Sequence, residues 1–556
     1  MLHDFQHANG FLKATAFDVI IVGSGMAGLA LATALDGSGL QVLLVDGGGW
    51  DEQPALQGLY EGSVQGQHPQ AWEFRRQRFG GTSHLWGGRC VPMDPLDLDV
   101  RPQVPHSGWP MPWSALEPFY EPACQWLDAG TADFSVQSLR HPRPLLDGLA
   151  AADEVLTERI ERYSLPTDVG RAHRQRVLQS RTLHVLLHAR ATHLVLEGDA
   201  PHERVAGVEV THVKDQAKLT LTGRQVVLAG GGIEATRLLL AVQRRQASWQ
   251  RFDGGLGKFY TCHFDAIVGE LRTGKVRPPF AFERTTDGVY ARRKLQFTAA
   301  HQARHGLLNG TFRLHFPAYA DARHGSGVLS TIFFLKSILP GEHQRLLNHG
   351  RQVASPQTDW FGHARNVLLG LPDIARFGFD WTVRNKLAHR KLPYTLVPNR
   401  NGSYPIEFNG EQIPDAGNAI GLLEQVDALG MPRVDIRWRI TPQDVDSALE
   451  GFRSLAAVLK THTQAELVLD LAHLREALQA SPAVGGHHMG TTRMGHDTDP
   501  TSVVDAHLKV HGVANLSVCA ASCMPTSGHA NPTLTVVALA FRLAQHLKST
   551  QFAAYS

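Results

Sequence analysis

The sequence predicts an α/β protein, in which a domain built from βαβ units around a parallel sheet is joined to a separate sheet-based domain. Three observations predict it. Near the N-terminus two short apolar runs flank a small-residue helical segment, with Gly23, Gly25 and Gly28 at the first turn. Residues 183–232 alternate short apolar stretches with turn residues. Between residues 270 and 480 the pattern turns mixed, and a strand-and-helix pattern returns at the C-terminal end.

Phe17–Val22 reads as a buried strand, Met26–Leu35 as an apolar helix, and Gln41–Val45 as a second strand ending at Asp46. This is a βαβ unit of the length that a Rossmann-type dinucleotide fold requires. Gly23 permits the tight turn, Gly25 admits a pyrophosphate close to the backbone, and Gly28 lets helix and strand pack closely. Phosphates belong at the helix N-terminus, near Met26 and Ala27, where free N–H groups and the helix dipole favour anions. Asp46 lies eighteen residues beyond Gly28, close to where an acid meets a ribose hydroxyl. No second unit of this kind is seen, which argues against a nicotinamide site beside the first.

The loop Arg75–Cys90 is rich in paired glycines, a composition that lets backbone approach a ligand. Ser114–Leu127 predicts a helix with Ser114 as N-cap and Glu117 three residues on. His193–Leu196, Val205–Val213 and Lys218–Leu221 predict a small antiparallel meander that returns through Val226–Ala229 to the nucleotide domain. Gly230-Gly-Gly232 then turns into a helix through Leu240, a pattern that also suits a simple packing turn. A helical stretch is expected over residues 350–369.

The chain of 556 residues accommodates two or three domains, and 43% apolar with 19% charged residues is ordinary for a globular enzyme. A net charge of +2 without a long basic tract points away from nucleic acid. Five scattered cysteines do not form a disulfide framework. No apolar run is long enough to span a membrane, and residues 1–15 do not read as a signal peptide, so a cytoplasmic location is expected.

The densest chemistry is C-terminal. Asn515–Cys519 reads as a strand, 520–531 as a loop, and Pro532-Thr533 as a helix start, since proline suits the first helical position. The helix N-terminus then faces whatever His529 and Asn531 face, and would stabilise negative charge there. His529 suits the role of general base and Asn531 that of hydrogen-bonding partner. His487 and His488 invite a metal reading. They lack carboxylate or cysteine partners at recognised spacing, so no metal is expected and a loop approaching the cofactor is preferred.

Together these segments resemble the glucose-methanol-choline (GMC) oxidoreductases. The resemblance is carried by VGSGMAG (22–28), GGTSHLWGG (80–88), VVLAGGGIEATRLLL (226–240), GHHMGTTRMG (486–495) and SGHANPTLTVVALA (527–540). The stretch from Trp109 to Tyr120 is similar to the bacterial branch of sugar and glycoside dehydrogenases and pyranose oxidases. The resemblance implies FAD, a small-molecule alcohol as donor, hydride transfer to flavin N5, and oxygen, a quinone or a redox protein as acceptor. It assigns His529 as catalytic histidine and Asn531 as its partner. It places Gly80, Gly81 and Ser83 near the flavin, Pro532 and Thr533 at its pyrimidine edge, and Ala191 at the adenine.

The implied organisation is a discontinuous FAD-binding domain (16–130, 172–270 and 484–550), a substrate domain (271–483) and an N-terminal extension (1–15). Where covalently flavinylated members carry histidine, this chain has Leu85, so FAD is expected to be non-covalent. The family's usual Glu after the second strand is Asp46. An acid near the last strand is replaced by Ala520, which leaves more of the contact to the Ala521 backbone. The leading expectation is oxidation of a carbohydrate, glycoside or related alcohol. A lyase using the same fold without net redox change, or a binding protein on an inactive fold, are the alternatives.

Overall fold

The computed structural model describes all residues except 4, 6–9, 11, 13–14, 154, 166–167, 200–201, 336–358, 398–400 and 554–556. The apolar runs at Phe17–Val22 and Val42–Val45 pair in parallel, and Gly223–Leu228 joins on the other side. Leu183–Leu186 and Leu2–His3 extend the sheet beyond Val42–Val45, and Leu516–Val518 extends it beyond Gly223–Leu228. All of these pairings are parallel. Strands covered on both faces must be apolar on both, which is why Val19–Ile21 and Val42–Val45 are continuous hydrophobic runs and fully buried. Leu2–His3 makes the start of the expected extension an edge strand of this sheet, an element too short to carry a sequence signal.

The helix Met26–Leu35 packs beneath the C-terminal helix Pro532–Ala553, and both begin at the same end of the sheet. The expected meander forms from Ala189–Glu197, Arg204–His212 and Lys218–Leu221. Chain order places the crevice beyond the C-terminal ends of Phe17–Val22 and Gly223–Leu228, at the point where the strand order reverses. Open α/β sheets bind ligands there.

The second layer is an eight-stranded antiparallel sheet. Its order is Glu466–Val468, Phe264–Arg272, Ser403–Gly410, Gly310–Leu314, Tyr290–Phe297, Leu156–Tyr163 and Arg89–Cys90, with Glu283–Arg284 paired to Tyr290–Phe297. It therefore draws on strands that precede residue 271. Leu156–Tyr163 reads LTERIERY, which looks like a surface strand in sequence. Its Glu161 is nevertheless fully buried, because Arg313 and Arg89 neutralise it. Helix Pro442–His462 opens with a Thr441/Asp444 capping box and covers one face of the sheet, with Phe452 against Phe312 at 5.2 Å between ring centroids. A further three-stranded sheet joins Gly62–Gly66 to Ala419–Val426 and Pro432–Trp438.

Two local expectations change. In place of one helix over Ser114–Leu127 there are two 3₁₀ turns, Trp113–Ala115 and Glu117–Phe119, and then a helix Tyr120–Trp126 in which Ser114 is no cap. Pro118 explains the break, because it has no N–H to bond back along a helix. The helix expected over 350–369 is observed as Trp360–Leu369, and residues 350–358 lie outside the described residues.

Candidate active site

The two layers enclose a cavity of about 740 Å³ that runs along the crevice. At its nucleotide end Gly23 has φ +105°, and a Cβ on Gly28 would stand 1.8 Å from the Gly23 carbonyl oxygen, so the turn admits no side chain there. Gly25, Met26 and Ala27 line the cavity at the start of the helix, with open space beside Gly25. Gly28 lies behind them, outside the lining. From the glycine-rich loop, Gly81 and Ser83 reach the cavity while Gly80 packs behind, its N–H donating to Ser24 Oγ at 3.1 Å.

Asp46 lines the wall and accepts hydrogen bonds from the Ser24 N–H (2.9 Å), the Ser24 hydroxyl (2.6 Å) and the Gly48 N–H (2.8 Å). Burial raises its pKa, and these bonds oppose the rise. Its first task in the fold is to hold the glycine loop. Ala191 and Ala521 also line the cavity, on opposite sides of the crevice.

Near Ala191 a polar cluster that the sequence did not announce comes together. Arg190 and Arg75 flank the Tyr60 ring at 5.2 and 4.3 Å, and both pair with Glu234. Burial works to raise the Glu234 pKa, yet Arg190, Arg237 and Arg75 hold it down at about 2. Arg75 Nε and Gln77 Nε2 are buried without hydrogen-bond partners. Unsatisfied donors in a cavity wall are what a ribose or adenine would satisfy. With the open helix N-terminus beside Gly25, they fit FAD.

At the other end, Pro532 and Thr533 begin the long C-terminal helix and line the cavity together with Asn531 and His487. His487 Nε2 is 3.0 Å from Asn531 Nδ2, and His487 Nδ1 is 2.7 Å from His263 Nδ1. His263 Nε2 faces the Gly528 and Ser527 carbonyls at 2.9 and 3.3 Å, which can only accept, so Nε2 carries the hydrogen. Burial lowers the His263 pKa and keeps the ring neutral, so its Nδ1 is an acceptor and His487 Nδ1 must donate to it. His487 Nε2 is therefore left as a lone-pair acceptor facing Asn531. Asn531 Oδ1 is buried and has no hydrogen-bond partner.

His529, the expected base, is fully buried and lies outside the cavity lining. Its Nε2 is 3.0 Å from Asp94 Oδ2 and 3.1 Å from Lys294 Nζ. Burial lowers its pKa to about 4, reinforced by the Lys294 cation and opposed by Asp94. Burial also brings Lys294 down to about 8. Burial favours a protonated Asp94, but His529, Lys294 and Asn309 outweigh it and keep this carboxylate ionised. The group is a neutralised cluster between the two layers. Its backbone neighbour Gly528 supplies the carbonyl that orients His263.

His487 and His488 diverge: His488 Nε2 lies 2.8 Å from the Gly485 carbonyl, well away from the His487–His263 pair. His84 and Leu85 both stand in the cavity wall, with the His84 ring paired to Glu52 at 3.4 Å. Arg89 reaches the cavity from the antiparallel sheet, paired with Glu161 at 2.9 Å, and its Nε has no hydrogen-bond partner. The GHHMG motif was visible in the sequence, but that His487 lines the cavity and His529 does not needed the topology. His263, Asp94 and Lys294 carry no sequence signal.

A glycine-turned crevice at the switch point, with a proton acceptor at its far end, fits a flavin-dependent oxidoreductase. The comparisons agree. A family model described as GMC oxidoreductase matches residues 414–540, and one described as FAD binding domain matches residues 18–52. The chain is 26% identical to 6'''-hydroxyparomomycin C oxidase of Streptomyces lividus, over 98% of its own length and 94% of the relative's. It is 31% identical to C-glycoside 3-oxidase of Arthrobacter globiformis over 22% of each chain. Its fold is similar to that of pyridoxine 4-oxidase from Mesorbium loti, with a TM-score of 0.56 at 16% identity, covering 95% of this chain and 99% of that one. The chain is similar to the GMC oxidoreductases, and these matches support an FAD-dependent oxidoreductase acting on CH–OH groups.

Proposed function

We propose that the protein oxidises a secondary or primary hydroxyl of a carbohydrate, glycoside or similar polyol to a carbonyl, with His487 as the base. The observation that carries this reading is the bond between Asn531 Nδ2 and His487 Nε2 at the cavity wall. A substrate hydroxyl inserted into that bond accepts from Nδ2–H and donates to Nε2, so neither side chain is left unsatisfied. FAD, when bound, supplies the two-electron acceptor for the carbinol hydride. Gly25, Met26 and Ala27 would hold its phosphates, Asp46 its ribose, and Pro532 and Thr533 its pyrimidine edge.

His487 takes the hydroxyl proton at Nε2 as the hydride departs, and His263 Nδ1 stabilises the resulting imidazolium by accepting its Nδ1–H. The helix beginning at Pro532 directs its N-terminal dipole into the same space. Asn531 Oδ1 and Arg89 Nε remain as an acceptor and a donor for further hydroxyls, which supports a polyol over a simple aliphatic alcohol. The names of the two sugar-related relatives support the same class. The test is anaerobic addition of sugars, glycosides and aliphatic alcohols to the flavoprotein. Bleaching by polyols and not by aliphatic alcohols is expected. Bleaching by aliphatic alcohols alone, or carbonyl formation without bleaching, would refute the reading.

A further inference from the structure

Helices Trp360–Leu369 and Leu371–Thr382, continuing into the turn Val383–Leu387, show a surface unlike the rest of the molecule. Their inner side is anchored. His363 stacks on Phe333 at 4.0 Å between ring centroids, Asn366 donates to the Ala322 carbonyl at 2.7 Å, and Ile374 and Phe377 pack against the core of the antiparallel-sheet layer. The outer side is apolar and open to water. Phe361, Leu368, Leu369, Phe379 and Leu387 are 71–81% exposed. Helical spacing puts Phe361 with Leu368, and Phe379 with Val383 and Leu387, on common faces. An apolar surface of this kind on a soluble fold marks an interaction site.

Charge decides the partner. Residues 360–387 hold four Lys or Arg and two Asp, a net of +2, as much as the whole chain of 556 residues carries. Arg365, Arg376, Arg384 and Lys386 are exposed among the apolar residues, and the Lys386 ammonium lies 5.6 Å from the Trp381 ring centroid. Bulky apolar and aromatic side chains interleaved with cations are the pattern of helices that lie in a lipid–water interface. Among the described residues no helix is long and apolar enough to cross a membrane, so the arrangement suits lying on the surface.

We propose that residues 360–387 dock the protein on an anionic lipid surface. Phe361, Leu368, Phe379 and Leu387 enter the acyl boundary, and Arg365, Arg376, Arg384 and Lys386 meet the headgroup phosphates. The inference is independent of the substrate reading.

The test is sedimentation of the flavin-loaded protein with phosphatidylcholine vesicles, with and without added phosphatidylglycerol. Binding to the anionic vesicles only, weakened by salt, is expected. F379S/L387S should abolish it, and R376Q and K386Q should each weaken it roughly fivefold. Both sets should keep the flavin spectrum, the melting temperature and flavin reduction by a soluble donor. Failure of the wild-type protein to sediment, or undiminished sedimentation of F379S/L387S, would overturn the proposal. So would a dimer in light scattering that F379S/L387S dissolves while vesicles bind nothing, since a second copy would then occupy the face.

Discussion

His487 donates a hydrogen bond from Nδ1 to Nδ1 of His263 across 2.7 Å, and the direction of that bond is set by the Gly528 carbonyl on the far side of the His263 ring. Two imidazoles and one peptide oxygen thereby fix which nitrogen of His487 can take a proton. His263 is a positioning residue. His263→Phe removes the acceptor and frees the His487 tautomer. Flavin reduction should slow by about tenfold to a hundredfold with KM little changed, and its pH profile should shift, while flavin content stays normal. Stopped-flow reduction across pH checks this.

In the proposed reaction Asn531 supplies the hydrogen-bond donor to the reacting oxygen. Asn531→Ala should lower kcat by roughly a hundredfold or more without loss of FAD, the usual cost of one donor aimed at developing charge. Steady-state kinetics with the best donor of the panel would measure it.

Buried neutral histidines make the fold sensitive to acid. Burial lowers His68 and His529 to about 4 and His488 to about 3, all below the ordinary value of 6.5. The unfolded chain binds protons at these rings before the folded one does. Their stabilising contribution is therefore present above pH 6.5 and drains away as pH falls toward 4. For His529 alone the shift corresponds to about 3 kcal/mol. Melting temperature should drop steeply over this range, and His529→Gln should flatten the slope, because a neutral amide can still donate to Asp94.

Gly28→Ala would drive a methyl group into the Gly23 carbonyl oxygen. Displacing the turn should cost about 1–3 kcal/mol and strip FAD from the protein. The ratio of flavin to protein absorbance, with the melting temperature alongside, reports both.

His84 and Leu85 both line the cavity, but Leu85 stands where covalently flavinylated relatives carry histidine, and the His84 ring is held by Glu52. Acid precipitation should therefore release all of the flavin to the supernatant and leave a colourless pellet. A yellow pellet would mean a covalent bond.

Much of this architecture was legible because it rests on local rules. The parallel strands at 17–22 and 42–45 are apolar on both faces, and Gly23, Gly25 and Gly28 mark the turn between strand and helix. Pro532 announced the C-terminal helix for the same kind of reason. The antiparallel sheet was less legible, because Glu161, Arg292, Lys294 and Arg313 are buried charges that read as surface until their partners are known. The site was half legible. Asn531 stands at the cavity as expected, but His529, two residues away, turns to the opposite side of the chain toward Asp94 and Lys294. Nothing in a linear sequence distinguishes those two directions. The His487–His263 pairing joins residues 224 positions apart and exists only in three dimensions.

The assignment of the base to His487 is tested most directly by anaerobic stopped-flow reduction of His487→Gln and His529→Gln side by side, with one donor at saturating concentration. His487→Gln should bind FAD normally and reduce it about 10²- to 10⁴-fold more slowly, and His529→Gln should stay within about tenfold of the wild-type rate. The reverse order, with His529→Gln crippled and His487→Gln active, would contradict the account.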